Sequence, residues 1–219
     1  LNARQYEART AATKVLRFWR DRIPESLALM KERVNDDSPR VRLEAVVALS
    51  YFNTYEGFAT ATDIFKHPTD YYLDYAIRET FMFLKPVWIE HYKKNGSFAF
   101  SDGGIFNYLM NLANKEQFLS LPQNSEVLMT LLTRKDIELD VKRKAVETLS
   151  KLLSTDHTQV LLKTLSRKKS IGAIDQGNAR TIASDPVSLL LELPKDQLNG
   201  NRATFIEMIQ KDPTDFHRA

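Results

Sequence analysis

The segment DDSPRVRLEAVVALSYF, Asp36 to Phe52, decides the fold. Its opening residues are a helix start: Ser38 or Asp37 suits the N-cap, and Pro39 fits the first helical position, where its missing N–H is no loss. The helix that begins there has almost no polar face. Val41, Leu43, Ala45, Val46, Val47, Ala48, Leu49, Tyr51 and Phe52 crowd one short helix in a chain that is 27% charged. Such a helix either is enclosed by neighbouring helices or leaves an apolar strip for a partner.

Taking Val41 as position 0, Ala45, Ala48, Leu49 and Phe52 stand at +4, +7, +8 and +11, one stripe of a 3.6-residue period. The template recurs. Ala8 starts a copy with Ala12, Val15, Leu16 and Trp19; Leu73 starts one with Ile77, Thr80, Phe81 and Leu84; Val141 starts one with Ala145, Thr148, Leu149 and Leu152. A weaker copy runs from Ile105 through Leu109, Leu112 and Ala113 and fails at Glu116. The starts at 8, 41, 73, 105 and 141 are 33, 32, 32 and 36 residues apart.

Between them lie second helical segments, Glu25 to Val34, Tyr55 to Lys66, Val87 to Lys94 and Ser125 to Arg134. Thr69 serves as a cap ahead of Asp70, Pro86 ends the helix starting there, and Asn95 with Gly96 ends the next. Each unit is thus a helix hairpin that must stack on neighbours to bury its apolar face. The expected fold is all-α, an α-α superhelix of about five hairpins over residues 1–166. Residues 167–219 form a divergent capping segment: KKSIGAIDQGNARTIASD is polar, and the short helices PVSLLLEL and RATFIEMIQK flank a turn at Asn199, Gly200 and Asn201.

Asp36, Pro39, Val41, Arg42, Ala45, Ala48 and Leu49 stand in the D-x-x-P-x-V-R-x-x-A-x-x-A-L order of HEAT repeats, and the chain resembles that family. Arg9 and Lys142 repeat the Arg42 position, whereas Asp74 and Phe106 depart from it. The resemblance implies that Asp36 and Arg42 are structural, tying a loop to the next helix. More narrowly, DYYLDYAIRETFMFLKPVW, PRVRLEAVVALSYF and LLTRKDIELDVKRKAVETLSKLLSTD resemble the helical-repeat part of large secreted bacterial proteins, over roughly Ala8 to Leu165. In those proteins a sorbosone-dehydrogenase-like β-propeller precedes the repeats and a c-type cytochrome domain comes after them. This likeness implies a spacer between redox domains, placed in the periplasm or outside the cell. The sequence itself leaves a cytoplasmic location open. The opening LNARQ, without Met or a signal peptide, reads as part of something longer.

Within the resemblance, the second helix of each hairpin lines a concave face. Opposite the buried stripe stand +2, +5, +6 and +9, so Leu43, Val46, Val47, Tyr75, Met82 and Met110 are expected to form an apolar strip bordered by Arg78. Tyr, Met and Arg favour contact surfaces, and the expected partner is a protein or an adjoining domain. The competing expectation is that long loops such as Lys94 to Gly104 cover those side chains. Trp19, at +11, and Trp88 are read as core.

Other chemistry finds little footing. With 31 basic and 28 acidic residues the surface is mixed. Some HEAT-like proteins grip DNA and one class removes alkylated bases, but here Lys14, Arg17, Arg78 and Arg143 alternate with Glu79 and Glu147, which makes nucleic acid the lesser reading. The absence of cysteine excludes disulfides, thiolate metal sites and a CxxCH haem attachment in this chain. His67, His91, His157 and His217 are scattered, and no GxSxG, GxxxxGK[ST], HExxH or GxGxxG occurs, so neither enzyme activity nor a cofactor is expected. No apolar run reaches the ~18 residues of a membrane span. Partner identity and oligomeric state stay open.

Overall fold

A computed structural model of the chain describes residues 1–166 and 184–211. The polar stretch up to Ala183, and His217, lie outside them. Fourteen α-helices and no strand are found among the described residues, so the protein is all-α. The chain forms two compact units, one from Leu1–Ser120 and one from the described residues after it. The division falls inside the stretch 1–166 read as repeats.

The first unit contains α1 (Tyr6–Trp19), α2 (Ser26–Val34), α3 (Pro39–Ser50), α4 (Tyr55–Ala61) with a 3-10 turn (Thr62–Lys66), α5 (Tyr71–Phe83), α6 (Lys85–Asn95), α7 (Gly103–Leu112) and α8 (Lys115–Leu119). Alternate helices pack side by side in two layers: α1 on α3, α3 on α5 and α5 on α7, backed by α2 on α4 and α4 on α6. This is what stacked hairpins produce. We call α1, α3, α5 and α7 the inner row.

Local chemistry sets the ends. Pro39 sits in the first turn of α3, α3 ends at Ser50, and Asn53 in the turn that follows takes φ 47°, the left-handed conformation Asn tolerates. The cap of α5 is Asp70 rather than Thr69, its carboxylate accepting from the Leu73 N–H at 2.8 Å. Leu84 closes α5 and opens α6, with Pro86 in the first turn of the latter, and Gly96 at φ 70° ends α6. Asn114 and Gln117 make a reciprocal capping box at α8.

The position shared by Arg9 and Arg42 is a ladder. Arg42 donates to the carbonyls of Asp36 and Asp37 at 2.8 and 2.9 Å, and onward to the Pro68 carbonyl of the next loop at 3.2 Å. Arg9, one interval earlier, donates to the carbonyls of Ala3 and Arg4 and onward to the buried Asp36 carboxylate at 2.8 and 2.9 Å. Asp36 also takes Arg33 at 3.4 Å and the Ser38 N–H at 3.0 Å. Burial pushes the Asp36 carboxyl up, but the Arg9 and Ser38 hydrogen bonds outweigh it and hold the group down at about 2.

An aromatic core fills the outer layer. Phe58 meets Phe81 edge-on at 5.7 Å, and Trp88 is buried with its indole N–H donating to the Phe81 carbonyl at 3.1 Å. Gly57 lets α4 lie close on α3, since a Cβ there would come within 2.9 Å of the Phe52 Cβ.

In the second unit α9 (Ser125–Thr133) packs on α10 (Leu139–Leu153), α11 (His157–Leu165) and α12 (Ser184–Leu191), while α13 (Lys195–Gly200) and α14 (Arg202–Lys211) come next along the chain. The expected turn at Asn199 and Gly200 is therefore the end of α13. Lys142, at the ladder position of α10, is fully buried and donates to the Arg134 carbonyl of the preceding loop.

Candidate interaction surface

Helical geometry separates the sides of an inner helix. Position +5 lies about 100° around the axis from +6, enough to move a side chain from one neighbour to another. The contact between α3 and α5 shows which neighbour: Thr80, at +7 of α5, donates through Oγ1 to the carbonyl of Val46, at +5 of α3, at 3.3 Å. α3 thus turns its +5 side toward α5, which meets it with its +7 side. The back of α3 lies on the hairpin layer, and its remaining side is open.

This corrects two members of the expected strip. Val46 and Met110 are both 0% exposed, as is Thr13 at the same +5 position of α1. Thr13 and Val46 are core because +5 is the side on which the next inner helix stacks. Arg78 is the exception at +5, half-exposed and ion-paired to Glu79 at 3.3 Å. Met82, at +9, is half-buried, its sulfur 3.9 Å from the Lys85 ammonium.

The open side carries +2, +6 and +10. There Leu43 and Val47 are half-buried on α3 and Tyr75 is 61% exposed on α5, so these three predicted residues share one face. The strip also includes residues the sequence reading missed. Phe18, Tyr51 and Phe83 occupy +10 on α1, α3 and α5, with exposures of 63%, 48% and 64%. Tyr72, three residues before Tyr75, is exposed as well. The signal was present in the repeat, since adding 10 to the starts 8, 41 and 73 gives an aromatic each time. Adding 10 to 105 and 141 gives Lys115 and Lys151, so the aromatic row belongs to α1, α3 and α5.

One cation stiffens the row. The Arg17 guanidinium lies 4.6 Å from the Phe18 ring centroid and 4.8 Å from that of Tyr51, bridging α1 to α3. Otherwise the charges on this face are mixed, with Lys14 against Glu44 and Glu79.

The loop expected to cover the strip goes elsewhere. Phe98 and Phe100, within Lys94 to Gly104, pack against Phe58, and Phe98 also against Trp88 and Tyr92, on the α4 and α6 side; the Ala99 N–H donates to the Tyr55 hydroxyl at 2.8 Å.

His91 and His67 are tied into packing. His91 stacks on Tyr55 with centroids 3.3 Å apart, and the His67 Nε2 sits 2.9 Å from the Asn35 Oδ1; burial lowers both imidazole pKa values. Among the described residues no group of three or more His, Asp or Glu could hold a metal ion, and no helix is long and apolar enough to cross a membrane.

Comparison with family models, with curated proteins and with solved structures finds no match to this chain.

Proposed function

We propose that the chain is a non-catalytic scaffold that binds a protein partner, or an adjoining domain of its own polypeptide, through the open side of α1, α3 and α5. One observation carries this reading: Phe18, Tyr51 and Phe83 stand exposed at the same position of three neighbouring repeats, joined by Tyr75. Rigid aromatic side chains supply large contact area at low entropic cost, and a contiguous exposed group of them is characteristic of contact surfaces. The HEAT-repeat assignment, the spacer role in a secreted redox protein and the periplasmic or extracellular location belong to the same proposal and rest on the resemblance alone.

Site-specific photo-cross-linking in the native cells tests it. A benzophenone side chain at Phe83 or Tyr75 is expected to give one discrete protein adduct, or an internal link to an adjoining domain, that the same group at Lys93 on α6 does not give. Equal, diffuse labelling at both places overturns the reading. A nucleic-acid adduct at Phe83 would instead favour DNA or RNA binding, which the alternation of Lys14 and Arg17 with Glu44 and Glu79 disfavours, because phosphate tracking needs cations in line.

A further inference from the structure

The open side of α1, α3 and α5 carries a second pattern alongside the aromatic row. At +6 the three helices present Lys14, Val47 and Glu79, a cation, an apolar residue and an anion in stacking order. At +10 they present Phe18, Tyr51 and Phe83, a ring at each end and one in the middle. Equal positions stand at about equal height, since Arg17 at +9 of α1 reaches Tyr51 at +10 of α3, and Thr80 at +7 of α5 reaches Val46 at +5 of α3. One row changes sign from end to end, and the other reads alike from either end. Such a surface is complementary to itself.

A twofold axis laid along α3 in the plane of this face exchanges α1 of one copy with α5 of the other and keeps the height along the helices. Lys14 then faces Glu79 of the partner subunit, Phe18 faces Phe83 of the partner subunit, and Val47 and Tyr51 meet their own counterparts on the axis. The remaining charges fit the same operation. Glu44, at +3, lies about 60° around α3 from +6 on the side of α1, so its two copies stand apart. At −1, Glu7 and Arg40 gather at one edge, where two anions meet two cations. Arg17 stays on the Phe18 and Tyr51 rings of its own chain, and Arg78 keeps its pairing with Glu79 at 3.3 Å.

We infer that this face pairs two copies of the chain, open side to open side, about that axis; the inference rests on the proposed role of the aromatic row as a contact surface and names its occupant. Area agrees with a second copy. Taking about 200 Å² for a whole aromatic side chain, the exposed parts of Phe18, Tyr51, Tyr72, Tyr75 and Phe83 come to roughly 600 Å² per copy. A stable interface takes about 800 Å² from each partner, and Leu43, Val47, Lys14 and Glu79 lie within the same outline. A foreign partner would need only one of the two patterns. The change of sign about α3 together with the symmetric row of rings is what a second copy requires.

Sedimentation equilibrium of the full 219-residue chain tests the pairing. The mass is expected to rise with concentration from 25.2 kDa toward twice that value. Lys14→Glu and Glu79→Lys each set like charges across the axis twice, and each alone should weaken self-association about tenfold or more. Mixed in equal amounts, the two variants should recover the association of the parent, because both contacts of the mixed pair again join opposite charges. In purified protein, a benzophenone at Phe83 should link to α1 of the second copy. A parent that keeps the monomer mass at its highest soluble concentration overturns the inference, as does a mixture no heavier than its components. If the parent is monomeric and Phe83 links a different protein in cells, the contact-surface reading stands and only the second copy falls. If the parent pairs, neither variant changes its mass and Phe83 gives no adduct, both fall.

Discussion

α1 and α3 carry the same template, 33 residues apart, and the protein treats them in opposite ways. Val41 and Ala48 are sealed at 0% exposure, while Val15, at the position of Ala48, is 51% exposed. Both helices have an apolar stripe of the right period. What differs is the number of neighbours: α3 has α1 before it, α5 after it and α2 with α4 behind it, whereas α1 has α3 and α2. Periodicity states which side of a helix prefers to be covered, and stacking order states which of those sides is. Within the second unit α10 repeats the pattern of α1, burying Lys142, Ala145, Val146 and Leu149 while Val141 and Leu152 are 36% and 55% exposed.

The comparison breaks most visibly at one substitution made in both helices. Val46→Asp places a carboxylate between α3 and α5 with no partner, and the cost, roughly 4 kcal/mol or more, is expected to leave the protein unfolded or close to it. Val15→Asp on α1 is expected to stay within about 0.5 kcal/mol of the parent in a urea titration. If the two variants melt alike, the distinction between covered and open sides of the repeat is wrong.

The junction between the same helices has a pH dependence whose sign is set by Asp36. Its carboxyl is held at about 2, below its unfolded value, so the stabilisation is complete above pH 4 and is lost as pH falls from about 4 to 2. A displacement of this size corresponds to about 2 kcal/mol. Asp36→Asn is expected to lose about that much in urea unfolding at pH 7, and the gap from the parent should close toward pH 2. A gap that is constant across this range would mean that packing, rather than the Arg9 ion pair, carries the loss.

The hairpin turn of α3 onto α4 offers a smaller test. At Gly57 an added methyl would meet the Phe52 Cβ at 2.9 Å and the Leu49 carbonyl at 3.4 Å, both on the neighbouring helix or its C-terminal turn. Overpacking costs about 1–3 kcal/mol and the helical preference of Ala returns up to about 1. Gly57→Ala is therefore expected to lower stability by about 1 kcal/mol, read as a drop in the melting midpoint.

Much of this architecture is legible in residue spacing. The template placed the inner helices, Pro39 and Gly96 marked a start and a stop, and RATFIEMIQK coincides with α14. Three features escaped because they depend on what lies beside a helix. Thr13 and Val46 look surface-directed on a helix packed on one layer, yet +5 is the side on which the next helix stacks. Trp19 matches a core position, but nothing stands before α1 among the described residues to cover it. Phe98 and Phe100 read as loop residues, and their contact with Phe58 is made 40 and 42 residues away in sequence, where no period reaches.

The smallest effect on stability separates the aromatic row from the core it resembles. Phe83 and Phe81 are two residues apart on α5, yet Phe81 is fully buried among Phe58, Phe65 and Tyr108 and Phe83 is 64% exposed. Phe83→Ser should thus change unfolding free energy by less than about 0.5 kcal/mol, whereas Phe81→Ala should cost about 3–5 kcal/mol. Tyr75→Ser belongs with Phe83, because Tyr75 is 61% exposed and lies on the same open side. A double variant, Tyr75→Ser with Phe83→Ser, that folds like the parent but loses the cross-linked partner would place these rings in recognition. If the double variant instead unfolds, the rings are holding α5 against α3, and the open row is part of the stack.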